Sequence, residues 1–452
     1  MVGGATYGSP TMAVIQQAER RPVHLTGERV MNNKRAVGIG MALSALCAGA
    51  IAMELTPSEQ LGKTVFFDEN LSINQNQSCA SCHDPVVGWT GPIEQINAHG
   101  AVYEGSIPFR FGDRKPPSAA YATLSPIFYQ DKSGLFVGGN FWDGRATGEK
   151  LGNPAADQAQ GPFLNPVEQA LPDSACVVYR VCENGNAYPV SFEQVWGASA
   201  CDIAWPTDID TLCHTEGVTI PLSDADRVKS DMAYDNIALS IAAYEDSPEV
   251  NAFSSKYDQT FDGKVKLSKL ERRGFALFRG KGKCALCHTA NGQEALFTDF
   301  TFDNLGLPRN PENPAVIGSG FVDPGLGGFL KHAGYPEEVY LSEWGKQKVP
   351  TLRNVAKGSC EAEPGNSDCV IKAFGHNGYF KSLAGIVHFY NTRDVKPECP
   401  GPYTEAQALD ADCWPAPEVS DNVNDAELGD LGLSPEEEAA IVAFLMALSD
   451  GF

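Results

Sequence analysis

Apolar residues recur at helical spacing in four stretches, and each stretch opens on a capping signal. Thr56-Pro57-Ser58-Glu59 combines an N-cap threonine, a proline at the first helical position and a glutamate three residues past the cap. It predicts a helix burying Leu61, Val65 and Phe66. Ser268-Lys269-Leu270-Glu271 predicts a second helix, through Phe275 and Phe278. Two more begin at Ser223, running to about Tyr244, and at Ser434-Pro435-Glu436-Glu437, running to Leu448 with Ile441, Phe444, Leu445 and Leu448 on one face. The four make two successive pairs, so the chain reads as internally doubled. The segments between are rich in Gly, Pro and Asn and show no sustained strand alternation. They predict long ordered loops in a mainly α fold.

The apolar run Val37 to Leu46 is different in kind. It follows Asn32-Asn33-Lys34-Arg35 and precedes Ala48-Gly49-Ala50 and Ala50-Ile51-Ala52, the order of a signal peptide over residues 31–52. The run is shorter than the ~20 residues a span needs. Export to the periplasm is therefore expected, with no membrane span after cleavage. Met31 stands where such a leader would start, so residues 1–30 are set aside as an over-extended N-terminus. Cys47 leaves with the leader.

The remaining chain has room for two domains, assigned to 53–250 and 251–452 and joined near Ser247 to Gly263. The full chain of 452 residues carries a net charge of −23, and the leader is net basic. Such a surface repels phosphates, which argues against nucleic acid, and it would steer a basic redox partner.

Cysteine usage changes the picture most. Cys79-Ala80-Ser81-Cys82-His83 and Cys284-Ala285-Leu286-Cys287-His288 are both C-x-x-C-H words, the attachment signature of c-type haem. Two covalent haems are expected, bound through Cys79, Cys82, Cys284 and Cys287, with His83 and His288 as proximal ligands. A zinc site from two C-x-x-C knuckles is the competing account, but such knuckles sit closer together and lack the added histidine. The fold expected is two cytochrome c-like haem domains in tandem. Eight cysteines remain: Cys176, Cys182, Cys201, Cys213, Cys360, Cys369, Cys399 and Cys413. An even number in an oxidising compartment predicts four local disulfides, of open connectivity.

Several further words carry a family resemblance. Leu61 to Asp68, Cys79 to Pro85, Phe141-Trp142-Asp143-Gly144-Arg145-Ala146, Gly161-Pro162 with Pro166-Val167-Glu168, Val349 to Val355 and His376-Asn377-Gly378 resemble, in order, the bacterial dihaem cytochrome c peroxidase/MauG family. The resemblance implies hydrogen peroxide as substrate at the N-terminal haem and an electron-transfer haem in the C-terminal half. Glu168, with Gln158 ten residues before it, is similar to the distal peroxide pocket, where a carboxylate moves a proton between the peroxide oxygens. Trp142 resembles the tryptophan that relays electrons between the haems. His99, sixteen residues past His83, stands where peroxidases have a ligand of the resting iron.

At the second haem the peroxidases usually have a methionine fourteen residues after the histidine of His-x-Gly. Here that position is Tyr390, and beyond the leader the only methionines are Met53, Met232 and Met446. A tyrosinate is similar to MauG, whose partner is a protein substrate; His388 or water is the alternative ligand. A peroxidase would instead take electrons from a small c-type cytochrome or copper protein. A non-enzymatic dihaem carrier would leave Glu168 and Gln158 without a task. The family's interdomain calcium uses an asparagine where this chain has Lys115 in Gly112-Asp113-Arg114-Lys115-Pro116-Pro117, which puts calcium in doubt.

Overall fold

The computed structural model describes residues 54–184 and 188–452, so the leader, Cys47 and the N-terminal extension lie outside the described residues. Both predicted helix pairs are present. Helix α1 (Pro57–Phe66) is capped by Thr56, with Glu59 completing the capping box. Helices α2 (Pro154–Leu164) and α3 (Ser174–Asn184) follow, then α4 (Asp224–Glu245), capped by Ser223. The second half repeats the plan with α5 (Lys269–Arg279), capped by Ser268 and Glu271, and, after α6 (Leu383–Thr392), α7 (Pro435–Met446), capped by Ser434. Helix α7 stops two residues short of Leu448, which is nonetheless fully buried.

The pairs cross in the same way. A Cβ at Gly62 of α1 would lie 1.8 Å from the Ser240 carbonyl of α4, and one at Gly274 of α5 would lie 1.8 Å from the Ala440 carbonyl of α7. Only glycine allows backbones so close. Around the first crossing lies a core of Phe66, Trp89, Val177, Ile237 and Ile241. Around the second lies one of Phe278, Phe297, Phe389, Trp414 and Phe444. A smaller cluster takes Phe128 and Phe136 from the first half and Phe302, Leu326 and Leu330 from the second. Strand is confined, among the described residues, to two short antiparallel pairs, Tyr129–Gln130 with Phe136–Val137 and Phe302–Asp303 with Gln347–Lys348.

The segment Ser247 to Gly263, where the halves are expected to join, contains the helix Lys256–Phe261, whose Tyr257 is buried in the second core. All eight remaining cysteines pair, as Cys176–Cys213, Cys182–Cys201, Cys360–Cys369 and Cys399–Cys413. No described helix is long and apolar enough to cross a membrane.

Candidate functional site

His83 and His288 are positioned by one local device used twice. Each follows a 3-10 turn, Cys79–Ser81 or Cys284–Leu286, and residues three apart eclipse on such a turn, so both thiols of a word share one side. His83 Nδ1 is 3.2 Å from the Trp89 carbonyl, and His288 Nδ1 is 2.8 Å from that of Phe297. Both acceptors sit at positive φ, +62° and +53°, an uncommon backbone for aromatic residues that is retained here where a carbonyl meets the ring. With Nδ1 so engaged, Nε2 is the nitrogen left to ligate. Burial pulls His83 down to about 4 and His288 below its usual range. Both are neutral, as a metal ligand must be.

Both words open onto one cavity, which Cys79, Cys82, His83, Cys284, Cys287 and His288 all line. Those four cysteines are the free thiols among the described residues. Burial pushes Cys79 and Cys284 up to about 12, far from a reactive thiolate. The donor set suits covalent haem: two thiols per group, one neutral imidazole each, and an apolar wall including Phe66, Phe278, Ile441 and Leu445.

Glu168 and Gln158 line the same cavity. Gln158 projects from α2 one turn before Pro162, and Glu168 follows on a turn whose Asn165 donates to its carboxylate at 3.0 Å. Burial holds Glu168 above the ordinary carboxylate range, against the pull of Arg145 and Asn165. Arg145 is fixed by Asp143 at 2.7 Å and lies 3.8 Å over the Phe141 ring. The Phe-Trp-Asp-Gly-Arg word thus places a cation near Glu168 and, one turn of chain away, Trp142 in the cavity wall.

Trp142 is nearly buried between the halves. Its Nε1 donates to the Lys115 carbonyl at 2.8 Å, its own carbonyl accepts from the Lys348 amide at 2.7 Å, and its ring packs edge-on to His376. Arg114 ties the same place together by donating to Asp143 at 2.6 Å and bidentately to Asp323 at 2.6 and 2.7 Å.

Tyr390, on α6, also lines the cavity. Burial, then the thiols of Cys284 and Cys287, hold its phenol above the usual range. His388, two residues earlier, turns away and pairs with Glu438 at 3.0 Å, so it is not the residue offered to the cavity.

His99 is the one candidate the structure does not bring to this site. Its side chain is 59 % exposed and pairs with Glu312 at 3.0 Å, outside the cavity lining. Its partner is a half-buried carboxylate 213 positions away in the chain, which spacing from His83 could not reveal.

A family model described as di-haem cytochrome c peroxidase matches residues 56–266. The methylamine utilization protein MauG of Paracoccus denitrificans (strain Pd 1222) is 36% identical over 399 residues, covering 86% of this chain and 88% of that protein. The chain belongs to the di-haem cytochrome c peroxidase family. Other members are similar to it at lower identity. The cytochrome c551 peroxidase of Nitrosomonas europaea is 26% identical over 307 residues, 68% of either chain. The diheme peroxidase BthA of Burkholderia thailandensis E264 superposes with a TM-score of 0.66 at 27% identity, covering 88% of this chain and 87% of that one. Membership implies two c-type haems and haem-dependent oxidoreductase chemistry.

Sequence reading missed other members of the cavity wall. Lys115 and Lys348 line it, and burial lowers them to about 8 and about 7. Lys372 is buried, and Glu245, on α4, is pushed by burial up to about 8. Lys115 and Lys348 stand inside or beside words already singled out; nothing local marks Lys372 or Glu245.

Proposed function

We propose that the protein is an exported dihaem peroxidase in which residues 53–250 and 251–452 each wrap one covalent haem, and hydrogen peroxide is reduced at the haem that His83 would hold. The observation that carries this reading is that Glu168, Gln158 and Trp142 line the same cavity as both C-x-x-C-H words. Haem iron supplies the redox centre at which the O–O bond is split. Glu168 takes the proton from one peroxide oxygen and returns it to the other, and the proton affinity raised by its burial strengthens it as the base of the first step. Gln158 orients the peroxide by amide hydrogen bonding. Trp142 offers an oxidisable ring between the halves. With two electrons and two protons, one peroxide becomes two waters.

In the first form of this reading a small c-type cytochrome or copper protein supplies the electrons to the C-terminal haem. Steady peroxide consumption driven by such a reduced protein is the expected result. A second form is favoured by one observation, Tyr390 in the wall beside Cys284 and Cys287: the electrons come from side chains of a partner protein, as in a MauG-like enzyme. Failure of every small donor, with a peroxide-induced spectrum that persists for minutes, would move the assignment to this second form.

Two variants test the ligands. Cys287→Ala is expected to carry one covalent haem where wild type carries two, read from intact mass. Tyr390→Phe is expected to change the electron paramagnetic resonance signal of one haem only and to raise that haem's reduction potential, because an anionic donor is lost. An unchanged spectrum and potential would make Tyr390 a packing residue.

A further inference from the structure

The halves share one more word. Lys115-Pro116-Pro117-Ser118-Ala119-Ala120-Tyr121 and Lys348-Val349-Pro350-Thr351-Leu352-Arg353-Asn354 run in register, with lysine first, proline third and a hydroxyl residue fourth. The seventh residues, Tyr121 and Asn354, both have left-handed backbone, φ +63° and +60°. The lysines are therefore equivalent positions of the internal repeat. They also hold opposite ends of one residue, since Trp142 Nε1 donates to the Lys115 carbonyl and the Lys348 amide donates to the Trp142 carbonyl.

Neither ammonium group donates to an anion, although Lys348 feels the charge of Asp143. Lys115 Nζ donates to Thr90 Oγ1 at 3.0 Å and to the Pro116 carbonyl at 2.9 Å; Lys348 Nζ donates to the Gly139 carbonyl at 2.7 Å and to Asn140 Oδ1 at 2.9 Å. Among the described residues neither has a salt bridge. The arginines of the same wall do: Arg114 with Asp143 and Asp323, Arg145 with Asp143, Arg353 with Asp258. An ammonium has three donors, so each lysine keeps one in reserve. Lys372 differs, spending all three on the carbonyls of Val87, Asn354 and Lys357. A desolvated cation with only neutral partners is costly unless an anion completes it, and each haem brings two carboxylates.

We propose that Lys115 and Lys348 are the carboxylate-binding positions for the two haems, each giving its remaining N–H to a propionate of the haem held in its own half. Lys115 donates to Thr90, the neighbour of the Trp89 that holds His83, and Lys348 precedes Val349, whose carbonyl accepts from Thr298, the neighbour of the Phe297 that holds His288. The assignment rests on the two-haem reading. It makes each lysine a local control of one haem's potential, on either side of Trp142, because a nearby cation favours the reduced iron.

The test is spectroelectrochemical titration of both haems in Lys115→Met and Lys348→Met holoprotein, with haem content checked by mass. Lys115→Met should lower the potential of the His83 haem and Lys348→Met that of the His288 haem, each leaving the other haem much less affected. Lys→Arg at either position should largely keep the wild-type value. Where a methionine variant does not accumulate as holoprotein, the glutamine variant should shift the same haem in the same direction. Unmoved potentials, both variants acting on the same haem, or arginine behaving like methionine would each overturn the proposal. Potentials are read without peroxide, so a wild type that binds two haems and turns over no peroxide would refute the proposed function alone. A wild type without covalent haem would overturn both.

Discussion

Glu168→Gln is expected to keep both haems and lose peroxide turnover by on the order of 10²–10⁴-fold, the usual cost of removing a general acid/base. Glutamine preserves the side chain's shape and can still accept a hydrogen bond from Asn165, which lies 3.0 Å from Glu168. What it cannot do is take up and return a proton. Steady-state peroxide consumption, with haem content and absorption spectrum as controls, measures the effect. An unchanged rate would remove Glu168 from the mechanism and leave its raised proton affinity without a functional account. Arg145 sharpens the test. Its charge lowers the Glu168 pKa, so Arg145→Gln should move the acidic limb of the pH–rate profile upward while sparing most of the maximal rate.

The largest effect on stability is expected at Asp258. Its carboxylate receives both arms of Arg353 at 2.9 Å, and the two side chains are 2 % and 0 % exposed. The guanidinium also donates to the Ala295 carbonyl at 2.8 Å and lies 4.4 Å from the centre of the Phe253 ring and 5.1 Å from that of Tyr121. Asp258→Ala leaves that cation buried and unpaired, at a cost of about 3–5 kcal/mol. Urea unfolding of the holoprotein measures it. Replacing Arg353 with leucine as well should recover part of the loss, because no charge is then left without a partner. A single variant as stable as wild type would show that water reaches Arg353.

The helices were legible because their signals are local. A capping box and a 3.6-residue apolar spacing are written into a dozen consecutive residues, and Thr56, Ser223, Ser268 and Ser434 all cap where the pattern places them. The haem words were legible for the same reason: five residues on one turn carry both thiols and the imidazole. Even the count of disulfides followed from eight cysteines remaining, although their partners did not.

What the sequence by itself determined is therefore the set of self-contained units: two capped helix pairs, two C-x-x-C-H words, and enough further words to identify the family. Tertiary structure decided everything that depends on which of those units face each other. It placed Trp142 between Lys115 and Lys348, residues more than two hundred positions apart, and set Tyr390 into the cavity while His388 on the same helix turned to Glu438. It also drew His99 out to Glu312. The physical reason is range. Capping and turn preferences act over a few residues of one chain segment, whereas the pairing of a buried charge depends on whichever distant segment packing brings against it.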